Sequence, residues 1–277
     1  MSCETALTYV KNERTLACAA IEVLETPDAR GKAHAARRVA RDWLTRGVEC
    51  CHGPRPVPAR PARPAHPVLK RPKDVPRRKI GPAPEGRIAL LHALAHIELN
   101  AIDLAFDIVA RFAGNGLPEE FFDDWIAVGD DEARHFLMLD DRLRTLGASY
   151  GDLPAHDGLW QASMETAHDL LARLAIVPMV LEARGLDVTP AMIEKLEAAG
   201  DTESAAALQI IHDDEICHVA VGRRWFEHVC TERGVEPVET WQSMVKEHFK
   251  GGLRPPFNVE SRARAGFPET YYSPLAS

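Results

Sequence analysis

The chain has 277 residues, and Asp-Glu-x-x-His occurs in it twice, as Asp131-Glu132-Ala133-Arg134-His135 and as Asp214-Glu215-Ile216-Cys217-His218. Three residues along an α-helix returns nearly to the same face, so the Glu and His of each motif can grip one metal ion. If both motifs serve one centre, the chain must present them on facing helices. Glu-x-x-His alone is weak evidence: 23 Glu and 12 His among 277 residues give roughly one occurrence by chance (23 × 12/277), and there are four. The other two are Glu49-Cys50-Cys51-His52 and Glu165-Thr166-Ala167-His168. The Asp prefix separates them. Asp-Glu occurs twice in the whole chain, and both times a His follows three residues after the Glu. Oxygen and imidazole ligands suit iron or manganese better than a soft metal.

The pattern around the motifs is helical. Aromatic residues make up only 6% of the chain while alanine and leucine are abundant, which favours helices over sheets. Helix 1 is predicted from near Arg87 to Phe112, stopped by Gly114-Asn115-Gly116. Pro118 opens helix 2, with Glu119 and Glu120 in its first turn, and it ends near Leu146-Gly147. Helix 3 is expected from Asp157 to Arg184, ending at Gly185, with Pro178 kinking or breaking it. Thr189-Pro190 is expected to start a short helix that closes at Gly200, and helix 4 runs from Asp201 to Glu232. Two further helices are expected at 4–24 and 31–47 and another at 237–249, with an irregular tail beyond Gly251-Gly252. The division expected is an N-terminal helical extension (1–52), a basic proline-rich arm (53–86), a four-helix bundle (87–235) and a C-terminal helix with its tail (236–277).

A di-metal bundle site needs one more Glu from each of the two remaining helices. Helix 1 offers Glu98 on its apolar stripe and helix 3 offers Glu182 at the end of an apolar run. An acid in such a place must be paired, liganded or neutral. The spacings agree: Glu98 to Glu132 is 34 residues and Glu182 to Glu215 is 33. Glu98, Glu132, His135, Glu182, Glu215 and His218 are therefore the candidate ligands. Glu165 and His168 lie too far along helix 3 to share the centre, and Glu49 and His52 lie at the edge of the arm. Asp131 and Asp214 are each turned about 100° from the ligating Glu that follows. They are expected to accept the outer N–H of the opposing imidazole, Asp131 that of His218 and Asp214 that of His135.

Charge is unevenly spread. Residues 53–88 hold ten Lys/Arg against Asp74 and Glu85, a local +8, which leaves −16 on the remaining 241 residues. The same stretch holds ten of the 20 prolines and is expected to be extended. A strap across the acidic helical body of its own chain or of a partner subunit is the favoured reading, and a contact for RNA or another polyanion the competing one. The absence of aromatic residues from the stretch weakens the RNA reading. No uninterrupted apolar run approaches ~20 residues, so no membrane span is expected. The first residues lack a signal-peptide pattern and the six cysteines form no CxxC pair, so a reduced, cytoplasmic setting is the expectation.

At the motif residues the chain resembles the ferritin-like di-iron superfamily, including bacterioferritin, rubrerythrin and the bacterial di-iron oxygenases. The Asp-Glu-x-x-His form is similar to that of the ribonucleotide reductase small subunit, the hydrocarbon monooxygenases and a tRNA hydroxylase. Ala95-His96-Ile97-Glu98, Pro154-Ala155-His156-Asp157-Gly158-Leu159-Trp160 and Leu181-Glu182-Ala183-Arg184-Gly185-Leu186-Asp187 resemble a bacterial ferritin-like family without an assigned function. The resemblance implies an all-α, ferritin-like four-helix bundle holding two iron ions, with manganese or a mixed Fe/Mn pair as the variants. It also implies O2 or peroxide as co-substrate. A homo-oligomer is in keeping with it. Rubrerythrin's CxxC pairs are missing. The tyrosines (Tyr9, Tyr150, Tyr271, Tyr272) stand far from the ligands along their own helices, which disfavours reductase chemistry. An oxygenase or oxidase acting on a small molecule or RNA is the leading expectation. A ferroxidase, peroxide scavenger or iron store is the alternative.

Overall fold

The computed structural model describes residues 15–48, 56–71, 74–75 and 83–277, and among these it is all helical, with no strand. Two helices come first, α1 (Leu16–Leu24) and α2 (Ala29–Leu44). Each is started by a side-chain cap: Thr15 accepts from Cys18 N at 3.2 Å and Asp28 from Gly31 N at 2.6 Å. Residues 4–14 of the first predicted helix lie outside the described residues.

Four long helical stretches follow. The first is α3 (Pro84–Phe112), which begins three residues before Arg87 because Pro84 suits the first helical turn. Its length and composition would let it cross a membrane, but 72% of its most apolar window is buried inside the protein. α1, α2 and α4 (Glu119–Thr145) pack on it. α3 and α4 run antiparallel: His92, early in α3, accepts from Gly151 N at 2.9 Å, just past the end of α4. α8 (Thr202–Arg233) is antiparallel to α4 in turn. Arg142 reaches Asp201 at 2.8 Å at one end of that pair, and Trp225 Nε1 donates to Asp124 at 2.7 Å at the other.

The remaining stretch departs from expectation. Instead of one helix over 157–184 there are two, α5 (Gly158–Glu165) and α6 (Leu170–Ile176). Asp169 caps the second by accepting from Leu171 N at 3.2 Å. Buried Arg173 donates to Ser163 O at 2.6 Å and to the Thr166 hydroxyl at 3.0 Å, so a side chain serves a carbonyl at the end of α5 that a continuous helix would have bonded through its main chain. A π-helical turn, Val177–Glu182, carries Pro178 near its start. The helix then continues as α7 (Ala183–Ala198), through Gly185 and Pro190, where an end and a new start were expected. Gly185 keeps a right-handed backbone. Pro190 lacks the N–H that would bond the carbonyl four residues back, and Asn258 Nδ2 donates to that carbonyl, Leu186 O, at 3.2 Å. Trp241 Nε1 serves Ala175 O in the same way at 3.1 Å, next to the π turn. α9 (Pro237–His248) supplies that tryptophan.

The tail is ordered rather than irregular, with α10 (Val259–Arg264), α11 (Glu269–Tyr272) and a final 3-10 turn (Ser273–Leu275). Arg262 fixes it: the guanidinium is buried, donates to both oxygens of Asp187 at 2.8 and 2.7 Å, and lies 4.4 Å from the centre of the Tyr272 ring.

Residues 56–71 cross the helices as an extended strap. Ala62 N donates to Leu24 O at 2.8 Å, and Lys70 N to Ala155 O at 2.8 Å. Arg60 pairs with Asp157, and Arg63 with Asp103 at 2.9 Å and Asn100 at 2.7 Å. Buried Lys32 of α2 meets the same Asp103. Arg77, Arg78 and Lys79 of the arm lie outside the described residues.

Candidate metal centre

Glu98 of α3, Glu132 and His135 of α4 and Glu215 of α8 each place one ligand atom within 4.8 Å of all the others. His135 Nδ1 stands 3.3 Å from Glu98 Oε2 and 3.4 Å from Glu132 Oε2. His218 Nδ1 stands 3.1 Å from Glu132 Oε1 and 3.8 Å from Glu215 Oε2. Glu132 thus sits between the imidazoles, one oxygen toward each. Ligand atoms at about 2.0–2.2 Å from one shared ion stand about 3 Å apart, so these separations suit a shared cation.

Two close approaches bring the helices near enough. A Cβ on Gly129 would meet Phe106 at 2.6 Å, and one on Gly222 would meet the Pro178 ring at 2.3 Å. Glycine therefore lets α3 close on α4 and the π turn close on α8, on either side of the cluster. Glu182, the last residue of the π turn, is half-buried beyond the tightest group and shares a cavity wall with Glu98 and Glu215.

Behind the imidazoles the contacts cross between motifs. His135 Nε2 lies 3.0 Å from Asp214 Oδ2, and His218 Nε2 lies 3.5 Å from Asp131 Oδ2. Arg134 donates to both aspartates, at 2.8 Å to Asp131 and 2.7 Å to Asp214. Sequence reasoning passed over Arg134, although it stands three residues from Asp131 on the same helix face. His135 and Arg134 together hold Asp214 down to about 2.

The side chains present fit a bound cation. Glu98 Oε2, Glu132 Oε1, Glu182 Oε2, Glu215 Oε2 and His218 Nδ1 are buried with no hydrogen-bond partner among the described residues. Glu132 Oε1 and His218 Nδ1 stand 3.1 Å apart without hydrogen-bond alignment, as two ligands of one cation do. Each orphan costs about 1–3 kcal/mol unless something charged sits among them. Protonation is the other remedy. Burial and the Glu132 charge push Glu98 up to about 8 and Glu182 up to about 7. Glu215 is raised well above the carboxylate range by burial and Glu132. Burial alone would raise Glu132 too, but His218 and His135 on either side hold it low. Both imidazoles are raised despite burial, His135 chiefly by Asp214 and Glu132, His218 chiefly by Glu132 and Asp131. Four carboxylates and two neutral imidazoles carry −4, a charge that bound cations would neutralise.

The other motif residues are elsewhere. Glu165 and His168 are exposed, and His168 faces His248 with ring centres 5.7 Å apart. Glu49 and His52 lie outside the described residues, and Cys217 is exposed on α8.

Beside the carboxylates lies a cavity of about 270 Å3. Glu98, Glu182 and Glu215 form its acidic end, and Leu94, Leu104, Leu159, Val177 and Leu208 are among its apolar walls.

No solved structure matches the chain. It is 41% identical over 215 residues to an uncharacterized protein of Haemophilus influenzae, a match that covers 74% of this chain and 73% of that one. One family model matches residues 25–273, the stretch that contains every candidate ligand, and the chain thereby belongs to the family described as "Protein of unknown function (DUF455)".

Proposed function

We propose that the protein is a di-metal carboxylate oxidoreductase of ferritin-like build, with α3, α4, α6–α7 and α8 as its four-helix bundle. Two iron ions are held by Glu98, Glu132, His135, Glu182, Glu215 and His218, with manganese or a mixed pair as the variants. The protein uses O2 to oxidise an organic substrate. The observation that carries this reading over ferroxidase or storage chemistry is the apolar cavity of about 270 Å3 that ends on three of the carboxylates. An ion path needs no such space. Cavities of ~150 Å3 already bind a small hydrocarbon.

Bound ferrous ions would supply the electrons that reduce O2. The chain's own residues do the rest. Asp131 and Asp214 fix the imidazoles with Nδ1 inward, and Arg134 holds the two aspartates in place. Leu94, Leu104 and Val177 keep water from the acidic end, so each charge there acts at low dielectric. Glu182 Oε2 and Glu215 Oε2 take protons when cations are lost and release them when cations bind. The strap is structural in this reading, since Arg60 and Arg63 are occupied by the protein's own acids.

The test is metal analysis of purified protein together with O2 consumption by its ferrous form. Two metals per chain and O2 uptake, both lost in Glu132→Ala and both kept in Glu165→Ala, are expected. Uptake that scales with added iron and deposits it as mineral would replace the reading with iron storage. Failure to bind metal at all would end it.

A further inference from the structure

A second cavity, of about 360 Å3, adjoins the first, and the side chains of Leu181 and Arg184 line both. Its walls have the opposite character. Three arginines, Arg184, Arg254 and Arg262, face it against a single acid, Asp187, a net of +2. Asp187 is already taken by Nε and Nη2 of Arg262, and Arg184 Nη1 lies 3.4 Å from it. Arg184 is occupied by the carbonyls of Arg254 at 2.7 Å and Pro256 at 3.3 Å. Arg254 is exposed and pairs with no acid among the described residues. Phe249, Leu253 and Phe257 give the same cavity an apolar lining.

From this pairing of a positive cavity with an apolar one that ends on carboxylates, we infer that the substrate is an amphipathic carboxylate. Its head sits on Arg254 in the second cavity, and its hydrocarbon tail runs past Leu181 to the metal end of the first. The inference rests on the oxidoreductase reading only for what happens to the tail; binding itself does not depend on it. The reverse orientation would leave Arg254 without a partner and put the hydrocarbon tail among three arginines. Scaling from a ~150 Å3 cavity that holds the six carbons of benzene, the first cavity takes a tail of about ten carbons. A guanidinium without a protein acid is the group that a carboxylate satisfies best, through paired N–H donors.

The test is calorimetric titration of the purified protein with decanoate and with 1-decanol, alongside metal analysis of the same sample. Decanoate is expected to bind at least tenfold more tightly than 1-decanol. Arg254→Ala is expected to weaken decanoate up to about fivefold, the worth of an exposed charge pair, and to leave 1-decanol unchanged. Leu181→Trp, which fills the passage, is expected to weaken both probes. Circular dichroism checks that each variant is folded. Equal affinities for the two probes, an unchanged preference in Arg254→Ala, or no binding of either would overturn the inference. If decanoate binds as stated but the sample holds no metal after reconstitution, the di-metal reading fails and the binding site stands.

Discussion

Replacing Glu98 with glutamine is expected to strengthen the metal-free protein and to cost it metal affinity. Glu98 is 3% exposed, and burial beside Glu132 lifts its carboxyl from 4.5 to about 8. At pH 7 the unfolded chain carries it ionised while the folded chain must hold it protonated. At about 1.4 kcal/mol per pH unit, that mismatch costs the metal-free fold ~3 kcal/mol. The sign follows from the raised value: nothing is lost below pH 4.5, the loss grows up to about 8, and it is constant above. Glutamine has nearly the same shape, stays neutral and still accepts a hydrogen bond. In chelator at pH 7, Glu98→Gln should therefore melt roughly 5–10 °C higher than the wild type, a gap that closes toward pH 5. With metal the order reverses, because the variant loses a ligand and with it the stabilisation that binding confers. Thermal melts of both proteins, with chelator and with ferrous or manganous ion, at pH 5, 7 and 8, decide it. A chelated variant less stable than the wild type at pH 7, or a gap that ignores pH, would refute the reasoning.

Asp214→Ala is expected to lower metal affinity about 10–100-fold with the helices intact, and Asp131→Ala to lower it less, since its bond to His218 is 3.5 Å against 3.0 Å for Asp214 to His135; metal titration ranks them. Metal affinity is expected to fall as pH drops from 8 to 6, because the raised carboxyls Glu98, Glu182 and Glu215 must give up protons to bind cations; competition with a chelator of known pH response measures it. Gly222→Ala puts a methyl 2.3 Å from the Pro178 ring, and is expected to cost about 1–3 kcal/mol and to shift the π turn that ends at Glu182; urea denaturation and metal stoichiometry together report both effects. Glu165→Ala, on an exposed pair outside the cluster, is expected to leave metal affinity unchanged, and a loss equal to that of Asp214→Ala would show the motif was misassigned.

What could be read from the chain beforehand was local. The doubled motif, the acids embedded in apolar runs and the 100° offset of each leading aspartate are consequences of helical geometry, which depends only on spacing. The stretch from 157 to 200 misled for the opposite reason. Gly185 and Pro190 carry the signs of a helix end and start, but Asn258, far along the chain, supplies the donor that lets the helix run on. Arg173 in turn replaces main-chain partners where α5 stops, which no local pattern announces. The tail read as irregular because Arg262 and Asp187, which anchor it, are 75 residues apart. Arg134 was legible in principle: a base between Asp131 and the candidate ligand His135 has a small set of partners, and both aspartates were already singled out by their place before each motif glutamate.

The cover on α3 has a consequence for how the chain must be made. That helix is apolar enough to be mistaken for a membrane span, and Asp103 at its middle is fully buried against Lys32 of α2 and Arg63 of the strap. A fragment beginning at the bundle would lack both cations and the α1 and α2 faces, leaving a greasy rod with a stranded negative charge. Such a fragment would clump or drift to lipid, and cutting the protein down to the helices that carry the candidate ligands is the wrong way to simplify it. Synthesis runs in the favourable direction: α1, α2 and the strap leave the ribosome before α3 does, so the sheath exists before the blade.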